Sequence, residues 1–171
     1  ILRHAAYNHG QREIVSRLPD TGEIHRYGYA DCYKRTQQLA NVLTGPLKVK
    51  PGDLITTIAW NTHRHMELYY AVSGVGAVVH TANPRLSPEQ LAWIIDHAKA
   101  KHVFFDVTFA PLVDAVAKHC KTVKRWIAMT GEATKPDIKT KIDVYETLLS
   151  NAEDHYDFPE FDENAAAGLC Y

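Results

Sequence analysis

LITTIAWNTHRHMELYYAVSGVGAVVHTANPRLSPEQLAWIIDHAKAKHVFFD, residues 54–106, alternates short apolar runs with amphipathic stretches at a steady rhythm. Residues 54–60 form an uncharged run rich in isoleucine and threonine, suited to a strand buried on both faces. Thr62 can cap the helix that follows, and Leu68, Ala71, Val72 and Val75 give that helix one apolar face. Residues 76–80 make a second short strand. Ser87-Pro88-Glu89-Gln90 is then a strong helix start, because serine caps, proline fits the first turn and glutamine completes a capping box. Leu91, Ile94, Ile95 and Ala98 carry that helix on one face, and residues 102–106 supply a third strand.

The rhythm continues in both directions. Downstream, Thr108 can cap a helix bearing Leu112, Val113 and Val116, and residues 125–129 read as a fourth strand. Residues 131–141 lack apolar periodicity and read as a surface loop, residues 144–149 as one short helix. Residues 156–164 form an extended acidic stretch that leads into a last strand. Upstream, two extended stretches flank Pro19-Asp20-Thr21-Gly22, where proline presets one dihedral and glycine accepts a positive one, so a small N-terminal β-hairpin is expected. Cys32, Thr36, Leu39, Ala40 and Leu43 recur at helical spacing until Gly45-Pro46 ends that helix. Strand–helix alternation of this kind predicts an α/β fold: a doubly wound, mostly parallel sheet with flanking helices and right-handed crossovers.

Composition narrows the function. With 171 residues, 46% hydrophobic and 23% charged, the chain has the balance of a soluble globular domain. A net charge of -1 gives no electrostatic case for nucleic acid or an anionic membrane. The apolar runs fall short of the about 20 residues that a bilayer span requires. Three scattered cysteines, Cys32, Cys120 and Cys170, read as reduced thiols of a cytoplasmic protein. Residues 1–7 resemble the inside of a helix and residues 165–171 an apolar strand without its continuation, so the chain is expected to be a piece of a longer one.

Few residues bear the marks of chemistry. His63 and His65 diverge by about 200° on a helix, so they read as surface or helix-entry histidines rather than zinc ligands, and no metal site is expected. His80 closes a strand, the place where ligands gather in open α/β sheets, and suits a structural or a functional role equally. No Gly-x-Ser-x-Gly elbow is present, and Cys120 and Cys170 read as buried. Glu160, Asp162 and Glu163 read as a solvated acidic approach to a strand. Neither GxGxxG nor GxxxxGK[ST] occurs, and Gly74-Val75-Gly76 runs from helix to strand, the reverse of a phosphate-cradling order. No catalytic residue is expected within these residues.

Taken together, several segments resemble the N-terminal region of acyl-adenylate-forming ligases, specifically bacterial-type medium- and long-chain fatty-acyl-CoA synthetases. The most telling is residues 76–91, GAVVHTANPRLSPEQL. YGYAD at 27–31, KPGD at 50–53, WNTHRH at 60–65 and FDENAAAGLCY at 161–171 match in order and spacing. The last looks like the lead-in to that family's phosphate loop. The resemblance implies residues 1–171 are an incomplete N-terminal AMP-binding domain, cut before the loop and inactive alone. It implies a parent that joins fatty acid to coenzyme A with ATP and Mg, through an acyl-adenylate. It further implies that Arg85, in Asn83-Pro84-Arg85, is a cofactor-binding residue contacting a CoA phosphate. A homodimer is expected for that parent, with the remainder of the same polypeptide as the main partner. The alternative reading is a free-standing, non-catalytic α/β binding or assembly module.

Overall fold

In a computed structural model covering residues 1–171, the expected alternation is realised on a six-stranded sheet. The chain begins with α1 (Leu2–His9), followed by an antiparallel hairpin of β1 (Glu13–Arg17) and β2 (Ile24–Gly28), and then α2 (Tyr29–Thr44). The sheet itself opens with β3 (Leu54–Ile58), α3 (His63–Gly74) and β4 (Val78–Thr81). It continues through α4 (Pro88–His97), β5 (His102–Phe105), α5 (Ala110–Val116) and β6 (Arg125–Ala128). β7 (Ile142–Val144), α6 (Tyr145–Ser150) and β8 (Gly168–Leu169) complete it. Strand order is β7-β6-β5-β3-β4-β8, and every adjacent pair is parallel.

The inner strands β3 to β6 are buried on both faces because helices cover both. Phe104 and Ile127 point into a core shared with Leu39, Leu43, Leu68 and Val72 of α2 and α3. Val103, Phe105, Trp126 and Ala128, the alternate residues of the same strands, point into a second core with Leu91, Ile95, Val113 and Val116 of α4 and α5. The hydrophobic runs of β5 and β6 therefore have no solvent face, as parallel strands between helices require.

Local chemistry fixes the corners. Ser87 Oγ accepts from the Gln90 amide at 3.3 Å while Gln90 Oε1 accepts from the Ser87 amide at 3.1 Å, so the capping box forms in both directions. Gly52 has φ +82° and its amide donates to the Gly76 carbonyl at 2.8 Å, which joins the turn before β3 to the turn before β4. Asp53 closes that corner, accepting from the Lys50 amide at 2.9 Å and pairing with Lys101 at 2.6 Å.

Four expectations need correction. Residues 142–144 are a strand, β7, absent from the sequence reading; the segment IDV is too short for periodicity to register. Thr108 does not cap a helix: it lies within a 3-10 turn, Val107–Phe109, whose cap position is Asp106. Thr62 stands at the start of α3, yet its side chain makes no capping hydrogen bond. Cys170 is exposed rather than buried. No helix is long and apolar enough to cross a membrane.

Gly28 ends β2 where the chain doubles back. A Cβ there would stand 2.3 Å from the Gly10 carbonyl oxygen, a backbone atom with no rotamer to relax. Gly28→Ala should therefore lower stability by about 2 kcal/mol, the scale of an overpacked contact, in urea unfolding monitored by circular dichroism. A loss below a few tenths would show that the Gly10–Gly28 approach yields freely.

Candidate functional site

Ligands of open parallel sheets gather at the carboxyl ends of strands, at the point where successive connections leave in opposite directions. Here β3 connects to β4 on one side and β5 to β6 on the other, so that crevice lies between β3 and β5. Its floor is Asp106, fully buried, whose Oδ2 accepts from the Trp60 amide while Oδ1 has no partner. Burial pushes the Asp106 carboxyl up to about 6. At the mouth, Trp60 is 49% exposed; its indole N–H donates to Thr108 Oγ1 at 3.0 Å, and its ring lies 5.1 Å from that of Phe109.

One strand further, His80 at the end of β4 is fully buried. Its Nδ1 shares a 2.8 Å hydrogen bond with Thr56 Oγ1, and its Nε2 has no partner. Burial alone lowers its pKa to about 4, so the ring is neutral at physiological pH. Tyr171 lies edge-on above it at 5.1 Å, and the Tyr171 hydroxyl shares a 2.6 Å hydrogen bond with His97 Nδ1 on α4. Arg85 sits on the exposed loop that leaves β4, its amide donating to Asn83 Oδ1 at 3.0 Å. Its guanidinium enters none of the ion pairs of the chain. The cation and the buried histidine thus share the carboxyl edge of the sheet.

The acidic stretch lies elsewhere. Glu160 and Phe161 border a groove with Pro51, Gly52 and Gly76, which precede β3 and β4, so the stretch occupies the opposite, amino-terminal edge. Asp162 and Glu163 are exposed, and Asp162 accepts from the amide of Asn164. The sequence reading of solvated carboxylates describes them well. His63 and His65, in contrast, are buried rather than on the surface, at 2% and 5% exposure, and face different partners. His63 Nδ1 meets Ser16 Oγ at 3.2 Å, and His65 Nε2 meets Thr57 Oγ1 at 3.0 Å.

Sequence reasoning missed the largest polar feature, an ion network behind the ends of β6 and β7. Arg35 of α2 grips Glu67 of α3 through Nε at 2.7 Å and Nη2 at 3.2 Å, and reaches Glu146 of α6 at 2.9 and 3.0 Å. Arg64 bridges Glu146 at 2.8 Å, Asp20 of the hairpin turn at 3.3 Å and the Met129 carbonyl at 2.9 Å. The Tyr145 hydroxyl donates to Glu67 and the Thr130 hydroxyl to Asp20. Burial pushes the Asp20 carboxyl up, but the Thr130 hydroxyl and the Arg64 guanidinium outweigh it and hold the group below its ordinary value. A signal did exist: Arg64 and Glu67 lie four residues before Leu68 and Ala71, in phase with the apolar stripe.

Neither the buried Cys32 nor Cys120, which is half-buried rather than buried, is set up for attack. Burial raises Cys32 to about 11 and Cys120 to about 12, so both stay protonated. The chain thus presents a shaped sheet edge with one unpaired cation, two aromatic faces and a neutral histidine, an arrangement that can bind and orient.

Three comparisons place this geometry. The family model described as AMP-binding enzyme matches residues 2–171. The 3-methylmercaptopropionyl-CoA ligase of Ruegeria lacuscaerulensis is 41% identical across 100% of this chain and 32% of its own length. The long-chain-fatty-acid–CoA ligase of Thermus thermophilus is 42% identical across 99% of this chain and 30% of its own. The solved fatty acyl CoA synthetase of Mycobacterium tuberculosis shares the fold, with a TM-score of 0.77 at 24% identity over 99% of this chain and 31% of that one. The chain spans about a third of the length of the curated relatives it matches.

Two outcomes follow from the buried charges. Arg64→Met takes a partner from the buried Asp20 carboxylate and from the half-buried Glu146, and should cost about 3 kcal/mol in urea unfolding; a loss under about 1 kcal/mol would show the network to be solvated. Asp106 has a folded-state pKa raised from 3.8 to about 6, so its ionisation opposes folding as pH climbs through that range. Asp106→Asn should raise stability above pH 6, by at most about 3 kcal/mol, and leave it unchanged below pH 4. Unfolding curves of the two proteins that stay parallel across that range would contradict the assignment.

Proposed function

This chain belongs to the AMP-binding enzyme family, and on that premise we propose that it is part of an ATP-dependent fatty acid–CoA ligase. The observation that carries the reading is the identity of about two residues in five to acid–CoA ligases, spread over the whole chain. Residues 1–171 are then an incomplete N-terminal domain, and the loop that grips the ATP phosphates follows Tyr171 in the longer protein. A homodimer in the cytoplasm is the form proposed for that protein; three cysteines without a disulfide accord with a reducing compartment.

A carboxylate is a poor electrophile. ATP converts it to an acyl-adenylate with release of pyrophosphate, and the thiol of coenzyme A then displaces AMP to leave the thioester. Magnesium offsets phosphate charge in the first half-reaction. No cluster of three His, Cys, Asp or Glu side chains on this chain suits such an ion, so the metal is assigned to the nucleotide and the rest of the enzyme. This chain's contribution is orientation. Arg85, exposed and unpaired beyond the carboxyl end of β4, is free to form charge-assisted hydrogen bonds with a phosphate of the CoA nucleotide.

The reading is tested by ATP–pyrophosphate exchange. The 171 residues alone should give none, and the full-length gene product should exchange with a fatty acid and form its CoA thioester. Failure of the full-length protein with every carboxylate offered would overturn the ligase assignment. Within it, Arg85→Ala should raise the KM for CoA about 10-fold or more, the scale of one lost charge-assisted bond, and spare the exchange reaction. An unchanged CoA dependence would remove Arg85 from the site while leaving the ligase reading intact.

A further inference from the structure

Neither apolar core contains a residue of the hairpin formed by β1 and β2. What holds the hairpin to the body is polar and aromatic. At its tip Asp20 reaches Arg64 and Thr130. Along its inward face, Ser16 and His25 meet the first turn of α3: Ser16 Oγ bonds His63, and the His25 and His63 rings stack with centroids 4.0 Å apart and 25° between planes. Tyr27 packs edge-on against His63 at 5.5 Å. His25 Nε2, the Tyr27 hydroxyl and Thr62 Oγ1 are all buried without partners. Two stacked imidazoles in such a place are stable only while neutral, since two cations at 4.0 Å would repel with nothing between them.

We propose that the hairpin is an acid-released clamp: it closes over α2 and α3 at neutral pH and detaches from the intact sheet when His25 and His63 take up protons. An element held outside the hydrophobic cores belongs to the low-stability end of a protein's local openings. The surrounding charge favours release. Arg35 of α2, Arg64 of α3 and Glu146 of α6 act on the pair, while Cys32 and Glu67 act on the neighbouring Tyr27 and Asp20 of the turn pairs with Arg64. The carboxylates among them are already gripped by the two arginines or by Thr130 and Tyr145. Burial, followed by the neighbouring arginines, lowers the pKa of His25; burial and then His25 itself take His63 down to about 2.

The sign is set by linkage. Both histidines titrate lower when docked than when released, so the docking they support is complete above pH 6.5 and weakens as pH falls below it. Asp20 and Glu146, held low by their partners, keep their charge near pH 5, and Glu67, raised by burial, works in the opposite sense. Held at about 2 when docked, His63 multiplies the opening constant by about 30 at pH 5 on release, and His25 adds to that rise in the same direction.

Native-state hydrogen exchange of this chain at pH 7.5 and 5.0 tests the clamp, after correction for intrinsic exchange rates. Ladder amides of β1 and β2 should open more than about 30-fold more readily at the lower pH, while those of β5 and β6 remain far better protected. In His25→Phe, which keeps a stacked ring that cannot protonate, the rise should shrink to the roughly 30-fold that His63 alone supplies, and His63→Gln should diminish it as well. Hairpin amides that exchange only together with the sheet, a pH-independent opening, or an undiminished rise in the foldable variant would each overturn the proposal.

Discussion

Two arginines and three carboxylates share one enclosed space, and the position of nearly every element on one face of the sheet depends on their pairing. Arg35, Glu67, Arg64, Glu146 and Asp20 come from α2, α3, α6 and the hairpin turn, which are far apart in sequence. Charges removed from water are tolerated only when each finds partners at good geometry, and here bidentate guanidinium contacts, two hydroxyls and a backbone carbonyl provide them. Apolar packing of Leu68 and Val72 brings α3 against the sheet, but it would accept several rotations of that helix. The ion network accepts one. Specificity of arrangement, more than net stability, is what such a cluster contributes.

That division explains which parts were legible beforehand. β3, β5 and β6 were readable because a run buried on both faces is apolar throughout, and α4 because Ser87 and Gln90 cap only one kind of structure. β7 was not, since three residues carry no period. Thr108 misled because threonine caps helices in general, whereas here its hydroxyl accepts from the Trp60 indole and Asp106 occupies the cap position. The buried state of His63, Arg64 and His65 was hidden for a different reason: polar residues read as exposed until their partners are known, and those partners lie up to 82 residues away in the chain.

The candidate site shows the same limit. His80 was singled out from its place at the end of a strand and Arg85 through the family resemblance, and the sheet brings both to its carboxyl edge. Trp60, quoted only as the first residue of WNTHRH, and Asp106 were not read as a site, because only the strand order reveals that β3 and β5 are neighbours whose exits part. The acidic residues 160–163 looked like a cluster beside the last strand but lie at the other rim of the sheet. Proximity along the chain is a poor guide to which rim a residue serves.

The pairing of β8 with β4 carries a cost in time. Val79 waits for Gly168, 89 residues later, before its outer edge is covered. Every other strand of the sheet has both neighbours, or its one neighbour, supplied by residue 144. During synthesis β4 therefore emerges with an unsatisfied row of amides and carbonyls flanked by apolar Val78 and Val79. Non-local closure of this kind is slow, since the loop entropy must be met before the contact forms. A nascent chain stalled short of residue 168 would expose that rim to other strands, making this the edge from which misassembly starts.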